Sequence, residues 1–225
     1  MLKYPCLVLD HDDTAVMSTP AVHFPSFEDT LRHLRPGVRM TLSEYSRLCF
    51  DPGFERMCYD LLHFTQEEMD WQLRNWQAHV ERQIPPFHPG MEAVIRRQKA
   101  EGGLVCVISQ SYSRFVLRDY AAAGLPAPDL CLGWELGSDR QKPHPDPLRM
   151  VLERFRLSPA QALVVDDLKP GFDMARAVGC PYAAALWAYA DDPAMQQLVL
   201  SGSGDAIPLR TPGELDKLLF EDCEA

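Results

Sequence analysis

The segment Asp10-His11-Asp12-Asp13-Thr14 places three carboxylates and a hydroxyl directly after the uncharged run Cys6-Leu7-Val8-Leu9. In extended chain, residues two apart point to the same side, so Asp10 and Asp12 face one small volume if the backbone stays extended. Two carboxylates that close repel each other unless a cation or a shared proton stands between them. Two further apolar runs also end in polar groups. Leu104–Ile108 ends at Ser109-Gln110-Ser111, and Ala162–Val165 ends at Asp166-Asp167. A lysine, Lys142, lies in the loop-like Gln141-Lys142-Pro143-His144-Pro145. A carboxylate after a strand is commonly only a helix cap. Three strand ends and a lysine together are more specific.

The positioning elements are legible as well. Cys6–Leu9, 104–108, 129–133, 162–165, 181–187 and 206–209 read as strands; the longest are unbroken apolar runs, as in a parallel sheet covered on both faces. Helices are predicted between them at 91–101, 113–123, 147–155, 172–178 and from Thr211, and Ser201–Gly204 reads as a loop. This alternation predicts an α/β fold with a doubly wound parallel sheet, whose ligands gather outside the strands' carboxyl ends. Residues 16–86 break the beat. They contain no strand-like run, and Thr41–Glu44 and Thr65–Glu68 have capping-box spacing. The second box opens a helix towards Ile84 with Met69, Leu73, Trp76 and Val80 on its apolar face. The prediction is a core of residues 1–15 and 87–225 with a helical insertion, 16–86, after the first strand.

The chain has 225 residues, 46% hydrophobic and 24% charged, with a formal net charge of -10. That sign excludes nucleic acid as the main partner. A small anionic substrate needs local help from a metal, a lysine or helix N-termini. The seven cysteines show no CxxC and no cysteine–histidine cluster at zinc spacing, so they are expected to be reduced core thiols of a cytoplasmic protein. No apolar run approaches the ~20 residues of a membrane span. The first strand starts almost at once, so no signal peptide is expected.

With these residues in this order, the chain resembles the haloacid dehalogenase-like (HAD) superfamily in its phosphatase and phosphomutase branch. Asp10-His11-Asp12-Asp13-Thr14 is similar to the first motif, Ser109 to the hydroxyl motif, Lys142 to the lysine motif and Asp166-Asp167 to the acidic motif. The insertion at 16–86 resembles the helical cap of the subclass that includes phosphoglycolate phosphatases and β-phosphoglucomutases. The resemblance implies a HAD-like Rossmannoid core and a phosphatase acting through an aspartyl-phosphate. Asp10 would be the nucleophile and Asp12 the acid and base. Mg²⁺ would be held by Asp10, the main-chain carbonyl of Asp12 and Asp167, with Asp166 close by. Ser109 and Lys142 would bind the phosphoryl group, with Gln110 reaching it or orienting its loop.

The implied substrate is a small phosphorylated metabolite, and the protein is expected as a monomer or homodimer. A phosphomutase is the second reading. A dehalogenase fits less well, because a departing halide needs no proton and this chain carries Asp12. A non-catalytic binding protein is the remaining reading. Asp13 stands where many members have glycine and is expected to be structural. Thr14 is expected to satisfy nearby backbone. His11 either lines the substrate entrance or packs, and His23 is the insertion's candidate for substrate contact. Trp71 and Trp76 are expected to pack, and Lys169 to be a solvated charge.

Overall fold

In the computed structural model, which describes residues 2–220, Cys6–Leu9 forms strand β1 with every residue buried. The chain then divides into two compact units: residues up to Val16 together with those from Phe87 onward, and Met17–Pro86.

The Met17–Pro86 unit is helical: α1 (Phe24–Leu34), α2 (Leu42–Leu48), a short α3 (Phe54–Arg56) and α4 (Gln66–Arg82). Both capping boxes form. Thr41 and Thr65 accept the backbone N–H of Glu44 and Glu68, whose carboxylates return the bond. Phe27, Leu31, Tyr45, Met57, Cys58 and Phe64 make the unit's core. Arg35 ties the end of α1 to the start of α4, donating to both Glu68 carboxylate oxygens (2.8 and 2.9 Å) and to the carbonyls of Leu62 and His63. The buried side of α4 differs from the sequence reading at one position. Gln72 and Val80 are buried, whereas Leu73 lies on the exposed side. Both tryptophans pack within the unit, Trp71 stacking on His33 and Trp76 donating its indole N–H to His23.

In the other unit helices and strands alternate: α5 (Met91–Ala100), β2 (Leu104–Ile108), α6 (Ser113–Ala122), β3 (Leu130–Leu132), α7 (Asp146–Phe155), β4 (Ala162–Asp166), α8 (Lys169–Val178), β5 (Tyr182–Ala185), α9 (Pro193–Gly202), β6 (Ile207–Leu209) and α10 (Pro212–Leu219). The six strands form one parallel sheet in the order β3-β2-β1-β4-β5-β6, with β1 inside it. The topology is the doubly wound one expected from the alternation. Strand residues such as Leu7, Leu9, Val107, Leu163 and Val165 pack with Met91, Ile95 and Val116 from the helices.

Four sequence expectations are corrected here. The fifth strand stops at Ala185, and Leu186–Tyr189 turns as a 3-10 helix. The turn lets the Trp187 indole donate to the Thr14 carbonyl at 2.9 Å, a bond a continuing strand would not make. Helix α8 starts at Lys169, three residues before the expected Phe172, because Pro170 suits a first helical turn. The expected loop at Ser201–Gly204 is half helix: α9 runs through Gly202, opened by Asp192, which accepts the Met195 N–H, and by Pro193. Cys6, Cys49, Cys58, Cys106, Cys131 and Cys180 are thiols, of which Cys49 and Cys131 are only half-buried and so not the core residues expected, and Cys223 lies outside the described residues. Among the described residues, no helix is long and apolar enough to cross a membrane.

Candidate active site

Strand register brings the polar groups to one level. Leu9 pairs with Val107 on one side and Val165 on the other, so Asp10 and Asp166 leave the sheet together at its carboxyl edge. The Asp10 N–H continues the ladder to the Val165 carbonyl at 2.9 Å, and the Ser109 N–H donates to the Leu132 carbonyl at 3.0 Å. This is the crevice where open α/β sheets bind ligands.

Lys142 closes the crevice from the loop before α7. Its buried ammonium lies 2.6 Å from Asp10 Oδ1 and 2.6 Å from Asp166 Oδ2. Burial works against that ammonium, but Asp10 and Asp166 outweigh it and hold the amine above its ordinary range. Burial pushes the Asp10 carboxyl up to about 7, opposed by Lys142 and reinforced by Asp166 and Asp12. Asp167 is also held well above the carboxylate range, by burial first and then by Asp13, Asp10 and Asp166. Two hydroxyls aim Asp167: Thr14 donates to Oδ1 at 3.0 Å and Tyr189 to Oδ2 at 2.6 Å.

Oxygens of Asp10, Asp166 and Asp167 lie within 4.8 Å of one another. Fully ionised, three buried carboxylates and one lysine would leave an excess of negative charge. An all-oxygen donor set of this kind fits a hard divalent cation such as Mg²⁺.

Asp12, next along, is half-buried, and its Oδ2 accepts from Ser111 at 2.5 Å and from Ser109 at 3.4 Å. Gln110 is exposed, its amide 3.4 Å from the Lys142 carbonyl, which ties the two loops together.

Asp166 is held from below by the Leu168 N–H (2.9 Å, to Oδ1) and from the side by α8, where Gly171 comes so close that a Cβ would overlap the Asp166 carboxylate. Gly171→Ala is therefore expected to destabilise the fold by about 1–3 kcal/mol, the usual cost of overpacking. Urea denaturation measures it. Wild-type stability in the variant would show that α8 yields instead.

The remaining candidates are placed plainly. His11 turns away from the crevice into the core, 2% exposed, with Nε2 3.1 Å from Asp119 on α6 and its ring against Phe87 and Tyr120. Of its two readings the packing one describes this position; a side chain so enclosed does not line an entrance. His23 belongs to the Met17–Pro86 unit, where its Nδ1 accepts from Trp76 at 2.9 Å. Asp13 adopts φ +60°, the left-handed region that glycine enters most easily, and its carbonyl accepts from His88 at 2.7 Å. Lys169 pairs with Asp173 on the surface of α8. Thr14 departs from expectation, since its hydroxyl goes to the Asp167 carboxylate and not to backbone. Sequence reasoning missed Ser111 and Tyr189. Ser111 carried a faint signal, a second hydroxyl two residues after Ser109. Tyr189 carried none, because its reach depends on the turn after β5.

The chain was compared with known proteins. The family model described as haloacid dehalogenase-like hydrolase matches residues 7–185. Among curated proteins, phosphoglycolate phosphatase of Escherichia coli (strain K12) is 36% identical over 78 residues, 32% of this chain and 31% of that protein. Phosphoglycolate phosphatase of Salmonella typhi is 40% identical over 55 residues, 24% and 22% of the two. The matched stretch thus spans about a third or less of these relatives' length. Among solved structures, a predicted phosphoglycolate phosphatase from Haemophilus somnus 129pt superposes with TM-score 0.72 at 19% identity, covering 97% of this chain and 99% of that one. CbbY from Rhodobacter sphaeroides in complex with phosphate gives 0.71 at 19% identity, covering 96% of each chain. At these identities the superpositions speak for the fold.

Proposed function

The chain belongs to the haloacid dehalogenase-like hydrolase family, and from that membership we propose that it is a Mg²⁺-dependent phosphohydrolase acting on a small phosphate monoester. A sugar phosphate, a phosphoglycolate-like acid or a nucleotide monophosphate is the substrate class. The observation that carries this reading is the buried lysine bridge from Lys142 to Asp10 and Asp166, with Asp12 two residues along. It gathers carboxylates and a buried ammonium at one sheet edge, which supports a nucleophile, a proton donor and a fixed cation in those roles.

In this reading Asp10 attacks phosphorus, and the bond from phosphorus to the leaving oxygen breaks as the aspartyl-phosphate forms. Asp12 gives its proton to the leaving oxygen. It then takes one from the water that hydrolyses the acyl phosphate, releasing inorganic phosphate and restoring both carboxyls. Ser109, Gln110 and Lys142 hold phosphoryl oxygens, with Lys142 also offsetting the carboxylates. Asp10, the Asp12 carbonyl and Asp167 would hold Mg²⁺, with Asp166 beside them. The bound cation would neutralise charge shared between the carboxylates and the phosphoryl group. Thr14 and Tyr189 keep Asp167 aimed. Residues 16–86 serve as the cap that selects the substrate, with residues 1–15 and 87–225 as the catalytic core. Buried thiols such as Cys6, Cys58 and Cys106 suit a reducing, cytoplasmic setting.

The stretch shared with phosphoglycolate phosphatases supports a phosphate ester as substrate. A panel of sugar phosphates, phosphoglycolate and nucleotide monophosphates tests it. Inorganic phosphate is expected with Mg²⁺ and none in chelator. Conversion of a sugar 1-phosphate to its 6-phosphate without net phosphate release would replace the phosphatase by a mutase. Inactivity of the folded protein with every divalent metal would point to a binding role.

A further inference from the structure

Ser111 donates to Asp12 from a loop held rigid on its far side. The Ser111 carbonyl accepts the Trp134 N–H at 2.9 Å. At Gly133, just past β3, a Cβ would sit 2.5 Å from that same carbonyl oxygen and 2.6 Å from the Ser113 nitrogen, so only glycine permits the approach. The Ser113 N–H and hydroxyl are in turn bound by Glu135 at 3.0 and 2.9 Å. Ser111 itself is 5% exposed, and its hydroxyl reaches Asp12 Oδ2 at 2.5 Å. Ser109 is oriented by the same loop. Its oxygen accepts the Ser111 N–H at 3.0 Å, which leaves its hydrogen for Asp12 Oδ2 at 3.4 Å.

Both hydroxyls therefore converge on one oxygen of Asp12. We propose that Ser111 is a positioning residue for proton transfer: from its braced loop it holds Oδ2 of Asp12 and fixes the rotamer in which that side chain meets the leaving oxygen. This rests on the reading of Asp12 as acid and base given above. In the first half-reaction the bond from Asp10 to phosphorus forms and the phosphorus–leaving-oxygen bond breaks, while the proton passes from the Asp12 carboxyl to the leaving oxygen. If Ser111 only tied loops together, its loss would slow all substrates alike.

The leaving group separates these roles. Phenyl phosphate departs as a basic phenolate that needs a proton, whereas 2,4-dinitrophenolate leaves well as an anion. The value of kcat/KM, which reports the steps up to the first transfer, is measured for both with Mg²⁺ in wild type, Ser111→Ala, Ser111→Cys, Ser111→Thr and Asp12→Ala. General acid catalysis contributes roughly 10²–10⁴-fold, so Asp12→Ala should lose far more on phenyl phosphate. Ser111→Ala should show the same bias, its loss on phenyl phosphate exceeding that on the dinitrophenyl ester by about 10-fold or more. Ser111→Thr, which keeps the hydroxyl, should restore the wild-type ratio. Ser111→Cys, close in size and a weak donor, should behave as alanine does and serves if the alanine variant folds poorly. Equal losses on both esters in the Ser111 variants, with the bias present in Asp12→Ala, would overturn the inference and leave the phosphatase reading standing. No bias in Asp12→Ala would remove the acid role itself and the inference with it.

Discussion

Asp10→Asn is expected to abolish turnover, by about 10⁴-fold or more in kcat, because the amide cannot form the acyl phosphate. Its stability should move too, in a direction the site dictates. The Asp10 carboxyl titrates near about 7 in the folded chain against an ordinary 3.8. Between those values the folded state binds more protons than the unfolded one. The contribution of Asp10 is therefore fully present below its ordinary value and is lost as pH rises through about 7. In chelator, wild type should lose stability relative to Asp10→Asn as pH climbs across that window. Mg²⁺ should raise wild-type stability most at the alkaline end, where protons no longer compete for the carboxylates. Urea denaturation of both proteins, with and without the metal, checks the slope, and a phosphate-release assay checks turnover. Wild-type turnover in Asp10→Asn would assign the nucleophile elsewhere. A flat stability difference would mean that Asp10 ionises as freely folded as unfolded.

Lys142→Met should cost more in stability than any other single change at the site. It removes the ammonium 2.6 Å from both Asp10 and Asp166 and leaves two buried carboxylates facing each other. Breaking a buried pair by removing one partner costs about 3–5 kcal/mol. The loss should be largest at neutral pH and shrink in acid, where the stranded carboxyls protonate. Lys142→Arg is not a rescue, because a planar fork does not fit a cleft shaped for one compact ammonium. Combining Lys142→Met with Asp10→Asn should recover part of the lost stability, since the second change removes one of the stranded charges. Strictly additive losses would show that the two groups do not interact in the folded chain.

Much of the catalytic unit was legible because burial on both faces of a parallel sheet writes itself into the sequence as unbroken apolar runs. Cys6–Leu9, Leu104–Ile108 and Ala162–Val165 could hardly be anything else, and their shared direction put Asp10, Ser109 and Asp166 on one edge. What stayed hidden depends on contacts between residues far apart in the chain. His11 meets Asp119 across 108 positions, and nothing local says which way its ring turns. Tyr189 reaches Asp167 only because the chain leaves the sheet after Ala185, a departure that a run of alanines does not signal. Helix α9 was missed for a different reason. Its opening Asp192-Pro193 is a sound start signal, but only Met195 and Val199 are buried along its length, too few to write an apolar stripe. In the helical unit the same weakness of short apolar stripes misplaced Leu73.

The lysine bridge also bears on the order in which the enzyme is assembled. Zinc fingers collapse only when their ion arrives, because nothing else holds their ligands together. Here Lys142 already bridges Asp10 and Asp166, so, if the proposed Mg²⁺ binds at this edge, its loading would be a late and reversible step. Metal scarcity would silence such a chain without sending it to the proteases, and resupply would revive the existing population with no new synthesis.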